Sequence, residues 1–582
     1  MPFIFFSIFE RAGIPSCAND WLLKTVARDS WNFDGYITSD CDADYDVFGS
    51  HHYTKTPEET VAAVLHAGTD VDCTSFVGQY AMSALNQKLI SEKDIDARLK
   101  MLWRVRLRLS HFDPLGVLNS IPPSVVCSDE AIELARDGSR QGSTLLKNVN
   151  HILPLNNQQL KSIAVIGPNS NMSESIAHYY GGNTCNNIYY NMVNAIETYM
   201  PGSKTVTSLG VPTVKSNDLS KINASAKQAA NADQTILVLG TDLTDAEEGT
   251  DATSITFSNG QLALIEAVAA ACVAANKPPV IIVTLTAVPL DISSILNDDR
   301  VGAVLHVGQP SVQTLGIGDI IFGAASPAGR TVQTIYPSTY INEISIFDFN
   351  MRPGPSVWAR PDCTFMNDTK CPRGTNPGRT HRFYTGKAVV PFGFGLSYTT
   401  FTYQMSSVVS MKDQQNDVQF FSLNPLRELL KTKSKTKTNS SSSSSSSSTE
   451  GSKKEKVEDN NPVFYSLKDI ESTTLLSNVP KYEITVTNTG SVDSDDVVLG
   501  FISQPGAGTN GIPLQSLFGF ERIFLKAGES KSVYLYPSIM EFAKTKLDGS
   551  KIELIGEYKI WFGVKETFEL GGGYVDSVIR AE

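Results

Sequence analysis

Four short runs decide what this chain can build. Ser162-Ile163-Ala164-Val165-Ile166-Gly167, Gln234 to Gly240, Val280 to Leu285 and Val301 to Val307 are apolar almost throughout. A strand with one wet face alternates apolar and polar residues. Unbroken apolar runs of this length mark strands covered on both faces. Helical stretches lie between them, notably Asn259 to Ala275. Strands alternating with helices imply a mainly parallel sheet between two helical layers. A Rossmann-type nucleotide domain is the competing reading, but no G-x-G-x-x-G opens a helix after any of these strands.

The flanks read differently. Phe112-Asp113-Pro114-Leu115-Gly116 to Pro123 is rich in Pro and Gly and marks a linker. Asp129 to Lys147 reads as a helix. Residues 346–395 are rich in Pro, Gly and aromatics and form a long connection. Short alternating strands follow at Phe401 to Met405, Lys481 to Thr487, Asp496 to Ile502, Lys531 to Tyr536 and Glu557 to Phe562, which is β-sandwich patterning. An insert from about Met411 to Asp469 carries Lys431, Lys433, Lys435, Lys437 and the run Ser440 to Ser448. It lacks the apolar residues to bury a core, so disorder is expected.

Net charge is -12 and no domain is basic, which argues against nucleic acid as a partner. No apolar run is long enough to span a membrane. The start, Met1 to Phe9, is apolar but has no basic region before it and no small-residue cleavage site, so it makes a poor signal peptide. Eight cysteines in 582 residues do not make a disulfide scaffold. Sequons stand at Asn171, Asn223, Asn367 and Asn439. The histidines are scattered, with only His51 and His52 adjacent, and no metal site or cofactor is expected.

The candidate chemistry sits early in the chain. Tyr36-Ile37-Thr38 is β-prone and runs into Ser39-Asp40-Cys41-Asp42; a helix follows at Pro57 behind Thr56 as N-cap. By composition alone this could be a solvated acidic turn. The wording Gly35-Tyr36-Ile37-Thr38-Ser39-Asp40-Cys41-Asp42-Ala43 resembles the nucleophile segment of glycoside hydrolase family three, in its β-xylosidase branch. The resemblance continues through Ala67-Gly68-Thr69-Asp70-Val71-Asp72-Cys73, Phe76-Val77-Gly78-Gln79-Tyr80, Arg104 to Leu109, Leu145-Leu146-Lys147-Asn148 and Phe392 to Tyr398. It spans about Gly13 to Phe562 apart from the insert.

The resemblance implies a multidomain α/β plus β fold. Residues 1–112 would be the C-terminal units of a (β/α)8 barrel, with strands at Tyr36 to Ser39 and around Thr69 to Cys73. Phe3 to Phe9 would be a substitute strand beside them. A whole barrel takes about 250 residues, so the chain reads as truncated at its amino terminus. A linker at 113–127, an α/β sandwich domain at 128–345, the connection at 346–395 and a fibronectin type III-like domain at 396–582 complete the layout.

It also implies a retaining exo-glycosidase that removes terminal β-1,4-linked xylose. Such a mechanism needs two carboxyl groups about 5–5.5 Å apart. Asp40 is the expected nucleophile; Asp42 is a neighbour that matches no nucleophile of the family. The loop Asp242 to Ser254 resembles the family's Glu-x-Glu-Gly-x-Asp-Arg loop. Anchoring on Gly249 and Asp251 makes Glu248 the acid/base, with Glu247 in reserve; Ala252 stands where the family has Arg. The β-glucosidase branch uses a Glu in a Pro-Gly-Gln-Glu-Ser segment. Here Gln313 occupies that place, and an amide cannot serve as general acid.

Cys41 and Cys73 follow acidic residues at the ends of neighbouring strands. Joined, they would close a loop of about 32 residues, worth about 3–4 kcal/mol in the chain-entropy model, and would crowd a hydroxymethyl group at the sugar's C5. Unjoined, they are buried free thiols. Tyr36 is counted with them as lining the sugar. Asp70 and Asp72 either support the site or cap the strand. Three functions stay open: a β-xylosidase acting on oligosaccharides, a β-glucosidase, and a catalytically inactive remnant or sugar-binding protein. Family three xylosidases of eukaryotes are mostly secreted, so the resemblance implies an extracellular protein.

Overall fold

The β-prone run after Gly35, Tyr36–Ser39, is indeed a strand, with Ile37 and Ser39 fully buried. The computed structural model describes residues 3–6, 10–11, 13–114, 116, 121–173, 184–200, 204–245, 247, 250–286, 288–310, 312–361, 373–407, 418–421, 481–546, 551–568 and 570–581. Two compact units emerge, one ending at Pro123 and the other starting at Ser124.

In the first unit β1 (Phe3–Phe6) pairs in parallel with β2 (Tyr36–Ser39). Four helices follow: α1 (Ala43–Gly49), α2 (Pro57–Ala67), α3 (Phe76–Asn86) and α4 (Glu92–Arg108). Thr56 caps α2 through its hydroxyl, which accepts from Glu59 N, and Pro57 stands at the first helical position. Ser91 and Asp94 form a reciprocal capping box on α4.

The expected strand at Thr69 to Cys73 shrinks to a single parallel bridge, Thr38 to Val71. The reason is local. Asp70 N and Val71 N both donate to Ile37 O, while Asp70 Oδ2 accepts from Ile37 N at 2.8 Å. A side chain thus takes the donor that a longer ladder would have used.

The second unit begins with α5 (Asp129–Gly142) and β3 (Thr144–Asn148). The helix expected to reach Lys147 therefore stops at Gly142. Thr144, Leu145 and Lys147 instead pair antiparallel with the last strand of the sheet. The sheet is completed by β4 (Ser162–Ile166), β5 (Lys204–Ser208), β6 (Gln234–Gly240), β7 (Val280–Leu285) and β8 (Val301–Gly308). Its order is β3-β8-β7-β6-β4-β5, parallel except for β3.

Alternate residues face opposite layers. Leu237, Leu239 and Ile282 pack with Leu264 and Val268 of α6 (Asn259–Ala274), while Ile236, Val238 and Ile281 pack with Ile317, Ile320 and Ile321 of α7 (Leu315–Ile321). Each such buried side chain contributes about 1.5–3 kcal/mol, so the sheet is the stability centre of the unit. Leu396 N donates to Leu145 O at 2.8 Å, so the chain leaves this layer beside the strand by which it entered.

The following sheets are antiparallel apart from one pair. β9 (Phe401–Ser407), β11 (Tyr482–Asn488) and β14 (Ser530–Leu535) form one sheet. β12 (Ser494–Ser503), β13 (Ser516–Leu525), β15 (Gly556–Gly563) and β16 (Tyr574–Ala581) form the other, with β10 (Val418–Phe421) parallel to β16 at its edge. β10 corrects the expectation that the insert lacks structure throughout; the rest of the insert lies outside the described residues. Arg330 Nη2 bonds Asp496 Oδ1, and Tyr403 donates to Asp496 Oδ2 at 2.7 Å, so one buried carboxylate joins the α/β layer to the sandwich.

Candidate active site

β2 ends at Ser39, and Asp40 is the next residue. Its carboxylate is half-buried, and Oδ1 accepts from Cys41 N at 2.7 Å. The turn behind it is held by Ala43 N donating to Asp40 O and by Asp42 at φ +63°, a left-handed conformation that Asp tolerates better than most residues. Asp40 therefore stands at the carboxyl end of a parallel strand, on a turn fixed by its own backbone. Asp42 is exposed and leads into α1.

Cys41 and Cys73 are joined by a disulfide with Cα atoms 4.5 Å apart. Both are exposed rather than buried. The bond fastens the turn after β2 to the turn before α3. Cys73 N donates to Ser39 Oγ at 3.0 Å, a second tie between the same segments. Tyr36 is half-buried at the start of the strand.

Asp70 and Asp72 do structural work. Asp70 is buried between Arg28, at 2.6 Å, and Arg98, at 3.0 Å. Burial pushes its carboxyl up to about 6, against the Ile37 N–H and the two guanidinium groups that hold it down. Asp72 accepts from Thr74 N and from Val77 N, which ties down the start of α3.

One carboxyl escaped sequence reading. Asp44 lies on α1, four positions after Asp40, and is fully buried. Burial first, and the charge of Asp72 second, push it up to about 7, while hydrogen bonding to the Cys17 thiol and the Ser39 hydroxyl pulls it back. The only available sequence signal was an acidic residue on the inward face of a short helix.

In the second unit the loop after β6 is pinned at both roots. Asn169 Nδ2 donates to Thr241 O at 3.0 Å, and Thr241 Oγ1 donates to Thr286 Oγ1 at 2.8 Å. Lys215 bonds Thr244 O and pairs with Asp245 at 3.5 Å. On the returning side Asp291 N donates to Ile255 O. Glu247 is exposed and its backbone pairs with Thr250. Glu248, the expected acid/base, lies outside the described residues. Gln313 offers its carbonyl to Ser139 Oγ at 2.7 Å. Among the described residues no group of His, Cys, Asp and Glu could hold a metal ion.

These features can be set beside known proteins. The Glycosyl hydrolase family 3 N terminal domain matches residues 1–105, and the Glycosyl hydrolase family 3 C-terminal domain matches residues 143–398. The chain belongs to glycosyl hydrolase family 3. Beta-D-xylosidase 1 of Arabidopsis thaliana is 32% identical over 526 residues, covering 90% of this chain and 60% of that protein. A solved family 3 exo-beta-xylosidase, XlnD, bound to a xylobiose aziridine activity-based probe, superposes with a TM-score of 0.76. It is 26% identical, and the match covers 98% of this chain and 64% of that one. A beta-glucosidase from Listeria innocua, in complex with isofagomine, has a TM-score of 0.69 at 19% identity, covering 98% of this chain and 67% of that one, which shows a shared fold alone. The chain thus spans about 60% of the length of the Arabidopsis relative. Both family 3 domain types are represented here, with Asp40 within the first match and the Asp242 to Ser254 loop within the second.

Proposed function

We propose that this protein is a retaining exo-glycosidase of the β-xylosidase type, with Asp40 as nucleophile and Glu248 as acid/base. The observation that carries the reading is Asp40 at the carboxyl end of β2, within a segment matched to the family 3 N terminal domain. Its carboxylate accepts the Cys41 N–H, which fixes the orientation of one oxygen and leaves the other to act as a nucleophile. It would attack the anomeric carbon and displace the leaving oxygen as Glu248 supplies a proton. Glu248 would then remove a proton from water as the glycosyl–carboxylate ester is hydrolysed.

The Cys41–Cys73 disulfide and Tyr36 would border the sugar and disfavour a hydroxymethyl substituent. Xylose, which has none, is the preferred glycone on this reading; the xylosidase names of the relatives support it. A β-glucosidase would need an acid in place of Gln313. A sugar-binding protein without turnover is the third reading. An extracellular setting suits the disulfides Cys41–Cys73 and Cys127–Cys185.

Incubating the chain with a xylobiose aziridine and mapping the labelled peptide is the direct test. Label on Asp40, lost in Asp40→Asn, is expected. Nitrophenyl xyloside should be turned over at least about tenfold faster than nitrophenyl glucoside, a difference of about 1.4 kcal/mol. Label elsewhere, or glucoside preferred, would overturn the assignment. Noncovalent binding of xylobiose without label would favour the sugar-binding reading.

A further inference from the structure

A cavity of about 130 Å³ opens in the second unit, among residues that carry neither of the carboxylates discussed above. An engineered cavity of about 150 Å³ takes a benzene ring, so this smaller one seats a carboxylate and the adjoining edge of a six-membered ring, with the rest of the ring at its mouth. Its polar lining is Arg352, Thr385 and Asn510, with Phe383, Ile512 and Leu514 as apolar wall. No acidic residue lines it.

Arg352 is held but not used up. Its Nε donates to Gly511 O at 3.1 Å, and its guanidinium lies 5.5 Å from the Phe383 ring centroid. Among the described residues its two terminal nitrogens meet no acceptor and no carboxylate. The group is half-buried, where a charge-assisted bond gains strength over one in open water.

The facing turn adds two more donors. Gly508 N donates to Ile512 O, and Ile512 N donates to Thr509 O. The N–H groups of Asn510 and Gly511 find no acceptor among the described residues. Both residues are left-handed, at φ +49° and +73°. Successive backbone N–H groups at a turn can form an anion-binding concavity, and Asn510 and Gly511 both line this cavity. A Cβ at Gly511 would stand 2.9 Å from Arg352 Nε, so glycine keeps this approach open.

We propose that this cavity binds a carboxylated pyranose, a uronic acid residue of a polysaccharide. The carboxylate would take the open fork of Arg352 and the N–H groups at 510 and 511. Thr385 donates its hydroxyl proton to Pro377 O and keeps lone pairs for a sugar hydroxyl. Ile512 and Leu514 would meet the C–H face of the ring. The proposal does not depend on Asp40, on Glu248 or on turnover.

Calorimetric titration of the full chain with D-glucuronate, D-glucose and sulfate, at one ionic strength, tests it. Glucuronate should bind saturably and at least about tenfold tighter than either of the others, since glucose lacks the charge and sulfate the ring. Arg352→Ala should weaken glucuronate about tenfold or more. Asn510→Asp keeps a residue tolerant of the left-handed turn but places a like charge on the rim, and should weaken glucuronate while leaving the melting temperature unchanged. If Arg352→Ala does not fold, Asn510→Asp and the three-ligand comparison decide. No saturable binding of glucuronate, glucose or sulfate bound as tightly, or glucuronate affinity unaltered in either folded variant, would overturn the proposal.

Discussion

Asp44 shows how one side chain can set a protein's response to pH. Its carboxyl is moved from an ordinary 3.8 up to about 7 in the folded state. The folded form therefore binds this proton more tightly than the unfolded chain does. The resulting stability is fully present below about pH 4 and is lost as the pH rises through about 7. Asp44→Asn removes that loss. Between pH 4 and pH 8 the variant should gain about 2–4 kcal/mol relative to the wild type, read as urea midpoints at each pH. Parallel pH profiles for the two proteins would show that Asp44 titrates normally. The placement of Asp40 at the end of a strand was legible because a β-prone run leads straight into an acid there. Asp44 was not, because burial is a tertiary property and α1 has only seven residues on which to show a periodic face.

At the scale of elements, the parallel strands announced themselves and the edges did not. β6 and β7 are buried at every position, so apart from Gln234, Thr235 and Thr284 their sequences are apolar. β5, Lys-Thr-Val-Thr-Ser, is an edge strand with polar residues on both sides of Val206, and nothing in its composition separated it from a loop. β3 was absorbed into the preceding helix because Leu145 and Leu146 continue an apolar trend; the break at Gly142-Ser143 was the overlooked signal. Cys41 and Cys73 were paired correctly as candidates, while Cys127–Cys185, separated by 58 residues, gave no local sign. The first bond ties β2 to the start of α3. Cys73→Ser should cost about 2–4 kcal/mol. The drop in melting temperature should match that of the wild type under reducing conditions, provided Cys127–Cys185 is left intact by a mild reductant. An unchanged melting temperature would show that the two turns stay together without the bond.

Across the larger unit, the α/β layer and the sandwich share one buried charge. Asp496 is 1% exposed and receives both the Arg330 guanidinium and the Tyr403 hydroxyl. Removing the acid would leave a guanidinium facing a dry junction. Asp496→Ala should destabilise by about 3–5 kcal/mol and split a single calorimetric transition into two, because the layers would no longer melt together. One transition with a small shift would show that apolar contacts alone couple them.

The pairing of Leu396 with Leu145 has a further consequence for how such a layer can travel. Entry and exit of the chain meet within one hydrogen bond. A module whose ends adjoin can be cut out, transplanted into another polypeptide or circularly permuted without pulling its sheet apart. The α/β layer is thus a portable cassette: a recombination event needs to match only two neighbouring points on a host, whatever length of chain lies between them.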